Sequence, residues 1–184
     1  MGIRVNRAVF LDRDGVINRA VVRGGKPYPP ARIEDLDILP GVNDALDRLH
    51  RAGFRLVVVT NQPDAARGTQ RRSVVDEMHA HLASTLPIDE FRVCDHDDAD
   101  ACVCRKPKPG LLEAAAIASG LSLRDSFMVG DRWRDVAAGR GAGCTTIFID
   151  WGYQEQQPEQ PDVIVHSLPE AVDWILSRPQ RELI

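Results

Sequence analysis

Residues 54–60 read Phe-Arg-Leu-Val-Val-Val-Thr, a run rich in β-branched side chains with no apolar–polar alternation through its centre. A strand of that composition is apolar on both faces and needs cover on both. A parallel sheet between two layers of helices provides it. The rest of the chain supplies the parts. Ala8–Leu11, Glu90–Val93, Ser126–Gly130 and Thr145–Ile149 are further short runs with strand character. Helical patterns separate them. One is opened by Pro40-Gly41 and runs through Arg51, one spans about Gln70 to Leu86 and is closed by Pro87, and one covers Gly110–Ser119 and is ended by Gly120. Another covers Arg134–Arg140 with Gly141 and Gly143 as stops, and the capping-box sequence Ser167-Leu168-Pro169-Glu170 opens a last helix through Leu176. The Gly- and Pro-containing stretch Arg23–Pro30 reads as a loop, as does Pro158–Pro161. The expectation is an α/β fold built on a doubly wound parallel sheet, in a single domain over residues 1–184. Such sheets bind their ligands at the carboxyl ends of the strands.

Three of those ends are polar: Asp12-Arg13-Asp14-Gly15, Thr60-Asn61-Gln62 and Asp131. In an extended chain Asp12 and Asp14 start on the same side. Two crowded carboxylates repel unless a cation lies between them or one holds a proton, so the pair is a hard-cation site, an acid/nucleophile pair, or both. Asp131 and Asp135 lie about one helical turn apart. Carboxylates from two strand ends, with water and a substrate oxygen, are what Mg²⁺ prefers. The loop Cys104-Arg105-Lys106-Pro107-Lys108-Pro109-Gly110 sets three cations between prolines, which suits a phosphoryl group.

Cys94, His96, Cys102 and Cys104 form a Cys₃His set with every position filled by protein, so the metal expected there is a structural zinc. Its place next to Arg105 and Lys106 would stiffen the loop that presents both cations. Cys144 reads as core, His50, His79, His81 and His166 as core or surface residues without a partner, and Asp97, Asp98 and Asp100 as a solvated turn. The formal charge of −4 argues against broad nucleic-acid or membrane-surface binding. No apolar run approaches the roughly 20 residues of a membrane helix, and Met1–Arg7 has no signal-peptide pattern. A cytoplasmic monomer with neither a nucleic-acid nor a membrane partner is expected.

Asp12-x-Asp14-Gly15, Thr60-Asn61, Lys106 and Gly130-Asp131-x-x-x-Asp135 together resemble the four ordered motifs of the haloacid dehalogenase (HAD) superfamily of phosphotransferases. A narrower resemblance, to heptose-bisphosphate 7-phosphatases and their histidinol-phosphate phosphatase relatives, is carried by Phe10–Asn18, Thr60-Asn61-Gln62, Ala66-Arg67-Gly68, the C-x-H…C-x-C pattern and Cys104–Gly110. It implies a Rossmann-like core, and the short intervals between motifs leave no room for a cap domain. Asp12 is then the nucleophile that forms an aspartyl-phosphate, and Asp14 the general acid and later base. Thr60 and Lys106 hold the phosphoryl oxygens. Asn61, Gln62, Arg67, Arg105 and Arg132 contact substrate. Mg²⁺ sits on Asp12, Asp14 (through its backbone carbonyl) and Asp131, with Asp135 behind them. The implied substrate is a small phosphorylated sugar, and Ala66-Arg67-Gly68 tips the choice from histidinol phosphate to heptose bisphosphate. Two stretches depart from the family's pattern, Pro63-Asp64 in place of Ser-Gly and a longer loop around Gly24–Pro30; both fall where sugar hydroxyls would be read. The competing classes are a polynucleotide end-phosphatase and a non-catalytic zinc-stabilised binding module.

Overall fold

The β-branched run forms strand β4 (Arg55–Asn61), and its five central residues are all buried. The computed structural model describes residues 6–178, so the reading of Met1–Val5 lies outside the described residues. Before β4 come β1 (Ala8–Leu11), a hairpin of β2 (Val21–Arg23) and β3 (Lys26–Tyr28), and helix α1 (Val42–Arg51). After it come α2 (Pro63–Ala66), α3 (Arg72–Thr85), β5 (Glu90–Cys94), α4 (Gly110–Ser119), β6 (Phe127–Gly130), α5 (Trp133–Ala142), β7 (Thr145–Ile149), β8 (Val163–Val165) and α6 (Leu168–Ser177). The main sheet has the order β5-β4-β1-β6-β7-β8, and every neighbouring pair is parallel.

Alternation along the strands divides two cores. Val9, Leu11, Leu56, Val58, Val129 and Ile147 face α1 and α6, where Leu46, Leu49, Val172 and Ile175 close the layer. Phe10, Val57, Val59 and Met128 face the other way, onto Leu112 and Ala115 of α4 and Ala138 of α5. The chain winds outward from β1 in both directions, so the switch point lies at β1, between β4 and β6. Asp12, the end of β4 and Asp131 are thereby brought to one crevice.

Several expectations are corrected. The stretch Arg23–Pro30 is largely the β2–β3 hairpin, turned by Gly24 and Gly25 at φ 55° and 75°. Two successive residues with positive φ are what a tight two-residue turn requires. Helix α5 runs through Gly141 and stops at Gly143, whose φ of 80° supplies the left-handed cap. The helix expected from Gln70 is preceded by the short α2, and β8 was not anticipated from the sequence. At the start of α6 the Ser167 hydroxyl accepts from the Glu170 amide at 3.3 Å, but the Glu170 carboxylate takes the His166 amide rather than that of Ser167. No domain is inserted between the motifs among the described residues, and none of their helices is long and apolar enough to cross a membrane.

Candidate active site

β1 delivers Asp12 to the crevice, and the Asp12 amide is tied to the Val129 carbonyl of β6 at 2.9 Å. The turn that follows needs glycine for two reasons. Gly15 has φ 82°, and a Cβ there would lie 1.8 Å from Asp131 Oδ2. Gly130 makes similar room, since its Cβ would lie 2.1 Å from that of Asp135.

Lys106 lies at the centre, 2 % exposed. Its ammonium donates to Asp12 Oδ1 at 2.9 Å, Asp135 Oδ1 at 2.6 Å and the Val59 carbonyl at 2.8 Å. Three acceptors satisfy all three of its N–H groups. Burial alone would lower its pKa, but Asp12 and Asp135 outweigh that and raise it, so it stays charged. Asp12 Oδ2 takes no hydrogen bond among the described residues. Asp131 is buried, with the Tyr153 hydroxyl as its polar protein neighbour, and neither of its oxygens makes a hydrogen bond of normal geometry. Oxygens of Asp12, Asp131 and Asp135 all lie within 4.8 Å of one another. Burial pushes Asp12 up to about 6 against the opposing pull of Lys106. It also raises Asp131 well above the carboxylate range, with Asp12 and Asp135 adding repulsion. Three carboxyl groups face one ammonium, and a cation among them would relieve the burial and repulsion that push Asp12 and Asp131 up. The donor set suits a hard divalent ion. Asp135 is already engaged, by Lys106 and by the Arg132 amide at 3.0 Å.

Asp14 is gripped by three neighbours on two segments. Arg13 forks onto both of its oxygens, Asn18 donates to Oδ1 at 2.9 Å and Gln62 to Oδ2 at 3.0 Å. Gln62, expected on the substrate, is instead buried, bonding Asp14 and the Thr60 hydroxyl at 2.9 Å. Asn61, also expected there, clamps the Lys106 backbone from both sides, Nδ2 to the carbonyl at 3.0 Å and Oδ1 from the amide at 3.1 Å. Thr60 lies beneath the cavity lining, with its hydroxyl hydrogen free to donate.

Above these groups opens a cavity of about 280 Å³. Its cations are largely paired. Arg67 forks onto Asp97 at 2.8 and 2.6 Å, Arg105 meets Asp98 at 2.7 Å, and Arg132 forks onto Glu155. Asp97 and Asp98 are thus ion-pair partners in a short capped turn rather than a merely solvated one. The stretch around Gly24–Pro30, expected where sugar hydroxyls would be read, does reach the cavity, as a hairpin rather than a loop. The β2–β3 hairpin brings Lys26 and Tyr28 to the rim, and the segment after β7 leans on the site through Trp151, which donates to the Gly15 carbonyl at 2.8 Å. The Gly24-Gly25 turn was the one signal that could have shown the hairpin.

The cysteine cluster assembles as expected. Cys104 Sγ lies 3.2 Å from Cys94, 3.4 Å from Cys102 and 3.3 Å from His96 Nδ1, while Cys94 lies 3.7 Å from Cys102 and 3.6 Å from His96. A tetrahedron with Zn–S bonds near 2.3 Å has S···S edges of roughly 3.8 Å, so this donor set is already close to the shape that zinc takes. All four cysteines are free thiols.

Comparison with known proteins agrees with this geometry. The HAD-hydrolase-like family model matches residues 103–171. A D-glycero-D-manno-heptose-1,7-bisphosphate 7-phosphatase of Thermosynechococcus vestitus is 36% identical over 191 residues, covering 91% of this chain and 94% of its own. The D-glycero-beta-D-manno-heptose-1,7-bisphosphate 7-phosphatase of Escherichia coli K12 is 33% identical, covering 92% of this chain and 88% of its own. The crystal structure of a D,D-heptose 1,7-bisphosphate phosphatase from B. bronchiseptica, complexed with magnesium and phosphate, superposes with a TM-score of 0.79 at 28% identity, covering 94% of this chain and 98% of that one.

Proposed function

The chain belongs to the D-glycero-D-manno-heptose-1,7-bisphosphate 7-phosphatase family of HAD-like hydrolases, and on that premise we propose how its own residues remove the 7-phosphate of D-glycero-D-manno-heptose 1,7-bisphosphate. One observation carries the reading: Asp12 has one oxygen fixed by Lys106 and the other left open beside Asp131. A carboxylate so placed is nucleophilic at neutral pH without an activating base. Asp12 Oδ2 attacks phosphorus, the bond from phosphorus to the sugar oxygen breaks, and Asp14 gives its proton to that oxygen. Asp14 then takes a proton from water, whose oxygen displaces Asp12 and releases inorganic phosphate. The Thr60 hydroxyl donates to the phosphoryl group, while Lys106 restrains Asp12 and offsets the accumulating charge. Arg67, Arg105 and Arg132 line the cavity and are the cations that the rest of the substrate can recruit, each by loosening its present carboxylate partner.

Mg²⁺ belongs on Asp12, Asp131 and the Asp14 backbone carbonyl, with Asp135 behind them; when bound, it screens the repulsion between the nucleophile and the phosphate. Zinc belongs on Cys94, His96, Cys102 and Cys104, in a structural role. The chain is read as a cytoplasmic monomer acting on a small phosphorylated sugar; the mildly acidic charge and a cysteine cluster spaced for metal rather than disulfides support a cytoplasmic protein without nucleic-acid or membrane partners.

The test is Mg²⁺-dependent phosphate release from heptose bisphosphate beside histidinol phosphate. Heptose bisphosphate is expected to be the better substrate. Asp12→Asn should lose about 10³-fold or more in kcat. Turnover of histidinol phosphate alone would overturn the substrate, and full activity of Asp12→Asn would overturn the mechanism.

A further inference from the structure

Helix α3 carries a histidine to which the catalytic scheme gives no part. His79 is buried, and its Nε2 lies 3.1 Å from Nη1 of Arg13. Arg13 has no exposed surface, and the rest of its guanidinium forks onto Asp14, with Nε to Oδ1 at 3.1 Å and Nη2 to Oδ1 and Oδ2 at 2.9 and 2.8 Å. A guanidinium has only donors, so His79 Nε2 must offer its lone pair and the imidazole carries its proton on Nδ1. Burial, reinforced by the charge of Arg13, holds the His79 pKa down to about 4 and keeps the ring neutral. The ring stacks on Phe91 of β5, with centroids 4.9 Å apart and planes at 27°, which fixes its plane against the sheet.

We propose that His79 is a positioning residue for phosphoryl transfer: by accepting from Arg13 it holds the guanidinium fork, and through the fork the Asp14 carboxyl group, in the orientation that serves the leaving oxygen. The proposal rests on the assignment of Asp14 as the acid. An apolar side chain at position 79 would leave Arg13 Nη1 buried without an acceptor, an unfavourable state for a charged donor. The guanidinium could recover that loss only by turning toward another oxygen, which draws the fork off Asp14. Asn18 and Gln62 would still bond Asp14, so its position is loosened rather than lost.

The test separates positioning from general structural damage by the demands of the leaving group. As phosphorus bonds to Asp12, a sugar alkoxide departs only with the proton from Asp14, whereas p-nitrophenolate departs as a stable anion and needs none. kcat/KM covers the steps up to that departure. His79→Phe should lose about tenfold or more in kcat/KM on heptose bisphosphate and no more than about threefold on p-nitrophenyl phosphate. His79→Gln, whose side-chain carbonyl can accept from Arg13, should recover to within about threefold of wild type on both. The aryl ester also reports how much folded enzyme is present, and His79→Leu serves as a second apolar variant if the phenylalanine does not fold. Equal losses on both esters, or an unchanged rate on the sugar phosphate, overturn the proposal. Wild-type protein that turns over neither ester overturns the underlying mechanism as well.

Discussion

At the scale of the residue, the molecule keeps its chemistry in side chains that are almost wholly buried, and burial makes them sensitive to protons. His79 shows this away from the reacting atoms. Burial first, and Arg13 next, hold its pKa at about 4, opposed by Asp14 from the loop after β1 and Asp76 on its own helix, with Arg72 adding to the depression. An unfolded chain protonates the same imidazole at its ordinary value near 6.5. As pH falls below that value the unfolded state binds the proton first and the native state loses ground. The contribution of His79 to stability is therefore complete above about 6.5 and is lost progressively towards pH 4. It amounts to roughly 3 kcal/mol. Denaturant unfolding at pH 7.5, 6 and 5 should show wild type losing stability faster than His79→Gln, and parallel curves would contradict the assignment. This residue was not legible in the sequence. Its position on α3 matches the face carrying Val75, Met78 and Leu82, which marks it as core. Its partner lies 66 positions away, and no local pattern announces that distance. The carboxylate pair was legible because the abrupt end of an apolar strand in Asp12-Arg13-Asp14-Gly15 is itself local.

At the scale of the element, the site is a set of strand ends fastened to one another. The legible elements were those whose pattern is set by burial: β1, β4, α1 and α4 end within a residue or two of where their apolar periodicity does. The elements that escaped are short and mostly lie at edges. β8 is three residues long at the margin of the sheet, and the β2–β3 hairpin makes a two-stranded sheet of its own. Neither buries enough side chain to print a period in the sequence. The fastening between β4 and the lysine loop has an element-scale consequence. Asn61 joins them through two hydrogen bonds to the Lys106 backbone, and nothing else at the end of β4 both donates to and accepts from that peptide. Asn61→Ala should cost about 1–3 kcal/mol of stability. It should also lower kcat by about tenfold or more, because the ammonium that fixes Asp12 would no longer be held in register. Steady-state kinetics beside chemical denaturation would show both losses, and an unchanged kcat in a folded variant would remove Asn61 from the positioning machinery.

At the scale of the whole molecule, the two cores on either face of the sheet and the cysteine loop are separate stabilising devices. The cores are complete without the loop. Of the four proposed ligands only Cys94 belongs to a core, while Cys102 and Cys104 pack against its margin. At its tip the loop is otherwise tethered by Arg67 to Asp97 and Arg72 to Asp95, and at its far end by the Asn61 clamp and the buried Lys106 ammonium. Exposed ion pairs like those at the tip contribute at most about 1 kcal/mol each. A closed Cys₃His zinc site contributes far more, with apparent binding energies of about 10 kcal/mol in small zinc domains. Zinc extraction should therefore leave the sheet folded and loosen the segment between β5 and α4 around Cys102 and Arg105, leaving the Asn61 clamp as the main restraint on Lys106. The far-ultraviolet circular dichroism should change little, the melting temperature should fall, and kcat should drop by about tenfold or more, with recovery on adding zinc back. Cys102→Ser should reproduce the same pattern without a chelator. Withdrawing Mg²⁺ alone should stop turnover while leaving the zinc content and the protease resistance of that segment unchanged, since the carboxylate site and the thiolate site share no ligand. A zinc-free protein with full kcat would show that the polar tethers are enough to hold Lys106 on Asp12, and that the metal serves stability without serving the chemistry.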